Sequence, residues 1–202
     1  MPEITTINES GDLESFVADG KVTKHPFKVS DNYPWDDFAF SVNNLRVNPA
    51  TSKPDFDETE GEYLFDDSST ETVVGAQISR HEFAQDQQEW RPHVHWVQEA
   101  VGNVVWQLQY KIWPANTVEP AYTTISAFTP EFAYTSGSLH QITSLPPVDV
   151  TSYSNSTAMM VKVKISRLGG DANDTIVGDA RFLGFDFHVQ VDAFGSREEF
   201  TK

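Results

Sequence analysis

The sequence predicts an all-β protein: an antiparallel β-sandwich of jelly-roll type, preceded by an extended N-terminal arm. Three observations predict it. Apolar and polar residues alternate with period two in about eight segments along the 202-residue chain. Pro- and Gly-containing turns separate those segments. No stretch carries a convincing amphipathic period of 3.6; the nearest, "EFAQDQQEW", is short and poorly patterned.

The elements follow in order. Residues 1–35 show no sustained period of either kind and are punctuated by Gly11, Gly20, Pro26 and Pro34. They read as an extended acidic arm, and residues 36–202 as the sandwich domain. "FAFSV" puts Phe38, Phe40 and Val42 on one face. "NPATSKPDFDETEGE" is a polar loop with two prolines. "ETVVGAQISRHEF" alternates, with Val74, Ala76 and Ile78 together. "RPHVHWV" sets Val94 and Trp96 toward the core and His93 and His95 on the opposite face.

The clearest strand is "NVVWQLQYKIW". Val104, Trp106, Leu108, Tyr110 and Ile112 share one side, and Gln107, Gln109 and Lys111 the other. Pro114 ends it. "AYTTISAF" and "SGSLHQITSL" are two shorter strands, and "AMMVKVKISRL" alternates Val161, Val163 and Ile165 against Lys162 and Lys164. "GGDANDT" is a turn-rich loop. "RFLGFDFHVQVDAF" places Leu183, Phe185, Phe187, Val189 and Val191 inward, with Gly184, Asp186, His188, Gln190 and Asp192 outward.

Charge and composition narrow the function. The formal net charge is -16, and residues 1–71 alone carry 16 Asp and Glu against five Lys and Arg. So acidic a chain is repelled by phosphate backbones and anionic lipid, which argues against nucleic acid and membrane as partners. With no cysteine, disulfides and thiolate chemistry are excluded. No secretory signal and no apolar run of membrane-spanning length is visible in the sequence.

The candidate chemistry centres on His93, His95 and Glu99. On a strand, residues i and i+2 share a face, so two imidazoles and a nearby carboxylate could hold a divalent cation. The pattern resembles the first part of the cupin motif, which would imply a metal-dependent enzyme. Gln87 and Trp106 stand where that motif has glycines, and the later histidines, His140 and His188, lie in other contexts. The competing reading is a polar strand face whose neutral imidazoles hydrogen-bond across the sheet, with Trp96 and Trp106 as core anchors. "DFDETEG" imitates the start of a calcium loop, but Gly61 falls one position late and Asp66 stands where the loop requires Glu. Asp171, Asn173 and Asp174 in "GGDANDT" read as a turn before a calcium ligand set. No phosphate-binding glycine loop, nucleophile elbow or zincin helix motif occurs. The reading therefore assigns no catalytic residue and no cofactor.

Two stretches together resemble a family. "RPHVHWVQEAVGNVVWQLQYKIWPANT" is similar to a pattern Pro-His-x-His-Trp, a short loop, then Trp-x-x-x-Tyr. "GDARFLGFDFHVQVDAFGSREEFTK" is similar to an ending with Gly-Asp-Ala, Phe-Asp-x-His and Gly-Ser-Arg-x-Glu. Both recur among structural proteins of tailed-bacteriophage virions. The resemblance spans Arg91 to Thr117 and Tyr134 to Lys202. It implies a non-enzymatic capsid decoration (cement) protein, a head fibre or a tail component, made in the host cytoplasm and carried on the virion. The implied partner is the major capsid protein or another virion protein. A homotrimer would suit a three-fold position on a shell. A carbohydrate- or receptor-binding tip remains the alternative from a different class.

Overall fold

The computed structural model describes residues 35–47, 52–79, 89–153 and 159–191, with the backbone of Ile4–Ile7 and Leu13–Phe16. Its strands, in chain order, begin with β1 (Ile4–Ile7), β2 (Leu13–Phe16), β3 (Trp35–Ser41), β4 (Arg46–Val47) and β5 (Asp55–Asp57). There follow β6 (Glu62–Phe65), β7 (Thr70–Ile78), β8 (Glu89–Gln98), β9 (Trp106–Pro114) and β10 (Thr123–Ala127). The last four are β11 (Leu139–Ser144), β12 (Val148–Asp149), β13 (Met159–Leu168) and β14 (Ala180–Gln190).

Two antiparallel sheets pack face to face. One runs β10-β9-β13-β7-β4; the other runs β11-β8-β14-β6-β5, with β3 also on β14 and β12 on β8. β6 and β3 flank successive parts of β14, at Ala180–Phe182 and Gly184–Gln190. Taken as one broken strand, they complete a jelly-roll order: first, eighth, third and sixth strands in one sheet against second, seventh, fourth and fifth in the other.

Alternation builds the core. Trp90, Val94 and Trp96 of β8, Trp106 and Leu108 of β9, Val161, Val163 and Ile165 of β13, and Phe185 and Phe187 of β14 are all buried between the sheets. Trp96 and Trp106 are core anchors, as the alternation implies. The Trp96 indole N–H donates to Thr143 Oγ1 at 3.0 Å. The Trp106 indole N–H is buried with no acceptor within reach. Most of the core rings meet edge-on or tilted, such as Phe65 on Trp106 at 5.2 Å and Phe185 on Phe187 at 4.9 Å, while Phe38 stacks on Phe187 at 6.5 Å. Gly75 lies on the inner face of β7, where an added Cβ would stand 2.7 Å from Leu45 and 3.1 Å from Phe40. Only glycine lets those two side chains approach so closely.

One finding revises the sequence expectations and two add to them. Leu183, expected inward, is 38% exposed, while Ala180 and Phe182 are buried. A β-bulge between Phe182 and Gly184 inserts one residue and switches the phase of the strand. Val74, Ala76 and Ile78 do share a face, but it is the outer one, with Ile78 65% exposed. Within the segment read as an arm, Ile4–Ile7 and Leu13–Phe16 pair as an antiparallel hairpin, and Trp35 already belongs to β3. The rest of that arm lies outside the described residues, as do 82–88 of the helix-like "EFAQDQQEW", whose Glu89 and Trp90 open β8.

Pro92 sits in mid-strand, where it cannot donate to the ladder. The ladder on that side is interrupted at this position: β11 ends opposite His93 and β12 begins opposite Trp90. Only Leu145 N–H bridges the gap, donating to Pro92 O at 2.9 Å.

One end of the sandwich is tied by Arg167, which alternation places on the inner face of β13 and which is 0% exposed. Its guanidinium makes five hydrogen bonds. Nε and Nη2 donate to the two Asp174 carboxylate oxygens at 3.0 and 2.7 Å. Nη1 donates to Phe65 O and Gly178 O, both at 2.7 Å, and Nη2 to Ile176 O at 3.0 Å. Asp174 also accepts the Val105 N–H at 3.0 Å. The "GGDANDT" loop is thus a clasp on a buried arginine. Asp171 takes the backbone and side-chain N–H groups of Asn173 at 2.8 and 3.0 Å. In "DFDETEG", Asp57 likewise takes the Thr59 and Glu60 N–H groups at 2.8 and 3.2 Å, forming the β5–β6 turn.

Candidate functional site

The outer face of the larger sheet gathers four of the chain's six histidines: His93 and His95 from β8, His140 from β11 and His188 from β14. Register explains the convergence. β8 and β14 pair antiparallel with Asp186 opposite His93, and β11 sets His140 opposite Val97, two residues from His95 on the same face.

Asp186 is the centre. His95 Nε2 donates to its Oδ2 at 2.7 Å. His93 Nδ1 lies 3.4 Å from Oδ1, an ion-pair contact, and Oδ1 is buried without a hydrogen-bond donor of its own. The side chain is only 9% exposed. Burial pushes the Asp186 carboxyl up, but the two imidazoles held against it, His93 and His95, outweigh burial, and the net direction is below the ordinary value. The Asp186 hydrogen bond raises His95 against the opposing effect of burial, with the Asp186 and Asp37 charges adding to it.

His95 Nδ1 lies 3.0 Å from His140 Nε2, the rings stacked at 5.2 Å. One nitrogen of that pair must donate and the other accept. With His95 Nε2–H held by Asp186, neutral His95 accepts from His140 Nε2–H, and protonated His95 donates to it. Only with both rings protonated to imidazolium would two donors face each other. Burial, then the charge of His95, holds His140 below its ordinary value.

The face continues to His188, whose ring meets His93 at 5.6 Å and Trp35 at 5.1 Å and whose Nε2 is 3.8 Å from Asp37 Oδ1. Arg91 stands over the Trp35 ring at 4.7 Å and pairs with Glu89 at 2.8 Å.

Of the three residues that spacing nominated for a metal, His93 and His95 therefore share a partner, and that partner is Asp186. Glu99 is committed elsewhere. It accepts from Ser138 Oγ and Arg181 Nη1, both at 2.7 Å, and these bonds hold its carboxyl below the ordinary value. Arg181 also donates to Glu62, so it cross-links β6, β14 and the end of β8. Among the described residues no group of three or more His, Asp and Glu is arranged to hold a metal ion.

Sequence reasoning missed the role of Asp186. The available signal was the i, i+2 pair Asp186 and His188, a mirror of His93 and His95. Without the register, nothing showed that the two pairs interlock.

No family model matches the chain, and no curated protein matches it. Among solved structures, the chain is similar to the enzymatically active domain of tailspike protein 4 of bacteriophage CBA120, at 8% identity and a TM-score of 0.33. That likeness covers 77% of this chain and 19% of the tailspike chain, so this chain spans about a fifth of its length. It is also similar to TmCBM61, solved in complex with β-1,4-galactotriose, at 12% identity and a TM-score of 0.32, over 78% of this chain and 89% of that one. At these values neither likeness bears on ligand or activity.

Proposed function

We propose that the chain is a non-enzymatic structural protein of a tailed-phage virion, foremost a capsid decoration protein. It would sit on the outer capsid surface as a homotrimer and stabilise the shell. One observation carries the reading. The two segments that resemble virion proteins, around "RPHVHWV" and "GDARFLGFDFHV", are the neighbouring strands β8 and β14 at the middle of one sheet. Their polar side chains are engaged with one another: His95 with Asp186 and His140, and Arg181 with Glu62 and Glu99. That is how a sheet uses such residues to lock its strands, and the shared pattern is then a mark of architecture. An acidic exterior favours solubility before assembly.

The test is fractionation of assembled particles, with the oligomeric mass of the free protein measured in parallel. The protein should co-purify with virions and leave with the capsid fraction on disassembly. Its absence from purified virions would end the proposal, and a monomeric mass both free and capsid-bound would end the trimer.

A glycan-binding virion module is the second reading. It is favoured by Trp35, an indole 38% exposed on an open sheet face beside Arg91 and His188. Loss of glycan binding in Trp35→Ala with virion incorporation intact would support it.

A further inference from the structure

The outer face of the smaller sheet has the opposite character to the chain as a whole. Register sets Lys111 against Lys162 and brings Lys164 level with Val74, which Arg46 of β4 flanks on its other side. Four cations thus share one face of a protein of net charge -16. Glu119 takes up two of them, accepting from Lys111 and Lys162 at 3.0 Å each. The Tyr122 ring lies 4.2 Å from Lys111 Nζ and 4.3 Å from Lys164 Nζ. Among the described residues, no carboxylate lies within ion-pair distance of Lys164 or Arg46.

A groove of about 970 Å³ runs between these cations, from Lys162 and Lys164 across Val74–Ile78 to Asn43, Asn44 and Arg46. Its floor includes a sheet edge. β4 is two residues long and pairs only with Val73 and Val74, whereas β7 continues to Ile78. The Ser79 N–H bonds to Met159 O, which sets the phase of the β7–β13 ladder. Ser79, Gln77 and Gly75 turn their backbone groups toward β13, so Ala76 and Ile78 turn theirs outward. Among the described residues no strand lies beside that stretch. An open edge of this kind is a template for another strand.

We propose that this groove docks an extended acidic segment of a partner protein. The segment would add as a strand beside β7, bonding its backbone to Ala76 and Ile78 and setting its carboxylates against Arg46 and Lys164. The edge argues for a polypeptide over a glycan, because its N–H and C=O groups repeat at the spacing of a second backbone. Arg46 and Lys164, which meet no carboxylate among the described residues, argue for acid. The proposal stands on the edge and its charges, so it survives or fails separately from the virion reading.

The test uses the full chain and two peptides of about eight residues, one alternating Glu with Val and Thr, the other with Lys in place of Glu. Binding is followed by backbone amide NMR and hydrogen exchange. The Glu peptide should bind, weaken with salt, and protect the Ala76 and Ile78 amides. Arg46→Glu with Lys164→Glu should lower its affinity by about tenfold or more while leaving the melting temperature unchanged, because both side chains face outward. Equal binding of the Lys peptide, or binding without protection of those amides, would overturn the proposal. So would binding of polygalacturonate by a protein that ignores the Glu peptide. Protection of the same amides in the free protein, with a dimeric mass that the double variant abolishes, would give the edge to a second copy and overturn it equally.

Discussion

Replacing Arg167 by methionine should be among the most damaging single changes in the protein. Arg167 and Asp174 have 0% side-chain exposure, so the substitution leaves a carboxylate buried with its cation gone. Breaking one side of such a pair costs about 3–5 kcal/mol. Three backbone carbonyls, those of Phe65, Ile176 and Gly178, lose their donor as well, at on the order of 1 kcal/mol each. These losses overlap, which places the total near the upper end, about 5 kcal/mol. For a chain of this length each kcal/mol moves the midpoint by roughly 2–4 °C, so the melting temperature should fall by roughly 10–20 °C. Tryptophan fluorescence during urea and thermal unfolding reads the change directly, since Trp90, Trp96 and Trp106 are all buried. Arg167→Met combined with Asp174→Leu should recover part of the loss, because an apolar pair needs no hydrogen bonds. The surface pair Arg91–Glu89, 52% and 40% exposed, is the control, and Arg91→Ala should cost no more than about 1 kcal/mol. A cost below about 1 kcal/mol for Arg167→Met, or a double variant less stable than the single one, would refute the reasoning.

Three further outcomes are expected. His95 is raised above its unfolded value, so its contribution is complete below about pH 6.5 and is lost as pH rises through its folded value. The stability difference between wild type and His95→Gln should accordingly shrink across the alkaline limb of a urea-midpoint series; a difference that grows there refutes the Asp186 hydrogen bond as its source. Phe187→Ser empties a fully buried site and should cost at least about 3–5 kcal/mol, Tyr110→Ser less because it is only partly buried, and His93→Ala about 1 kcal/mol. Equal tolerance at Phe187 and His93 in chemical denaturation would show that the faces are inverted. Gly75→Val should cost about 1–3 kcal/mol by overpacking against Leu45 and Phe40; a neutral result would mean that those side chains yield freely.

Much of the architecture was legible before any coordinates. A strand's two faces differ at every second residue, so "NVVWQLQYKIW" and "AMMVKVKISRL" announce which side is buried without reference to any neighbour. The outward placement of His93 and His95, the buried Trp96 and Trp106 and the two-sheet sandwich all follow from that local period. The same parity already put Arg167 inside, beside Val163 and Ile165, although its charge made it easy to overlook. Tertiary structure alone decided what depends on a second strand. The bulge at Phe182 and Gly184 reverses the phase of Leu183, and the outer placement of Val74, Ala76 and Ile78 depends on which face of β7 meets Phe40. The carboxylate that His93 and His95 share is 91 residues from His95 in the chain, while Glu99, four residues away, is drawn off by Arg181. Side-chain alternation is a property of one strand. Register, bulges and the choice of ion-pair partner belong to pairs of strands, and they are set by packing that no single segment contains.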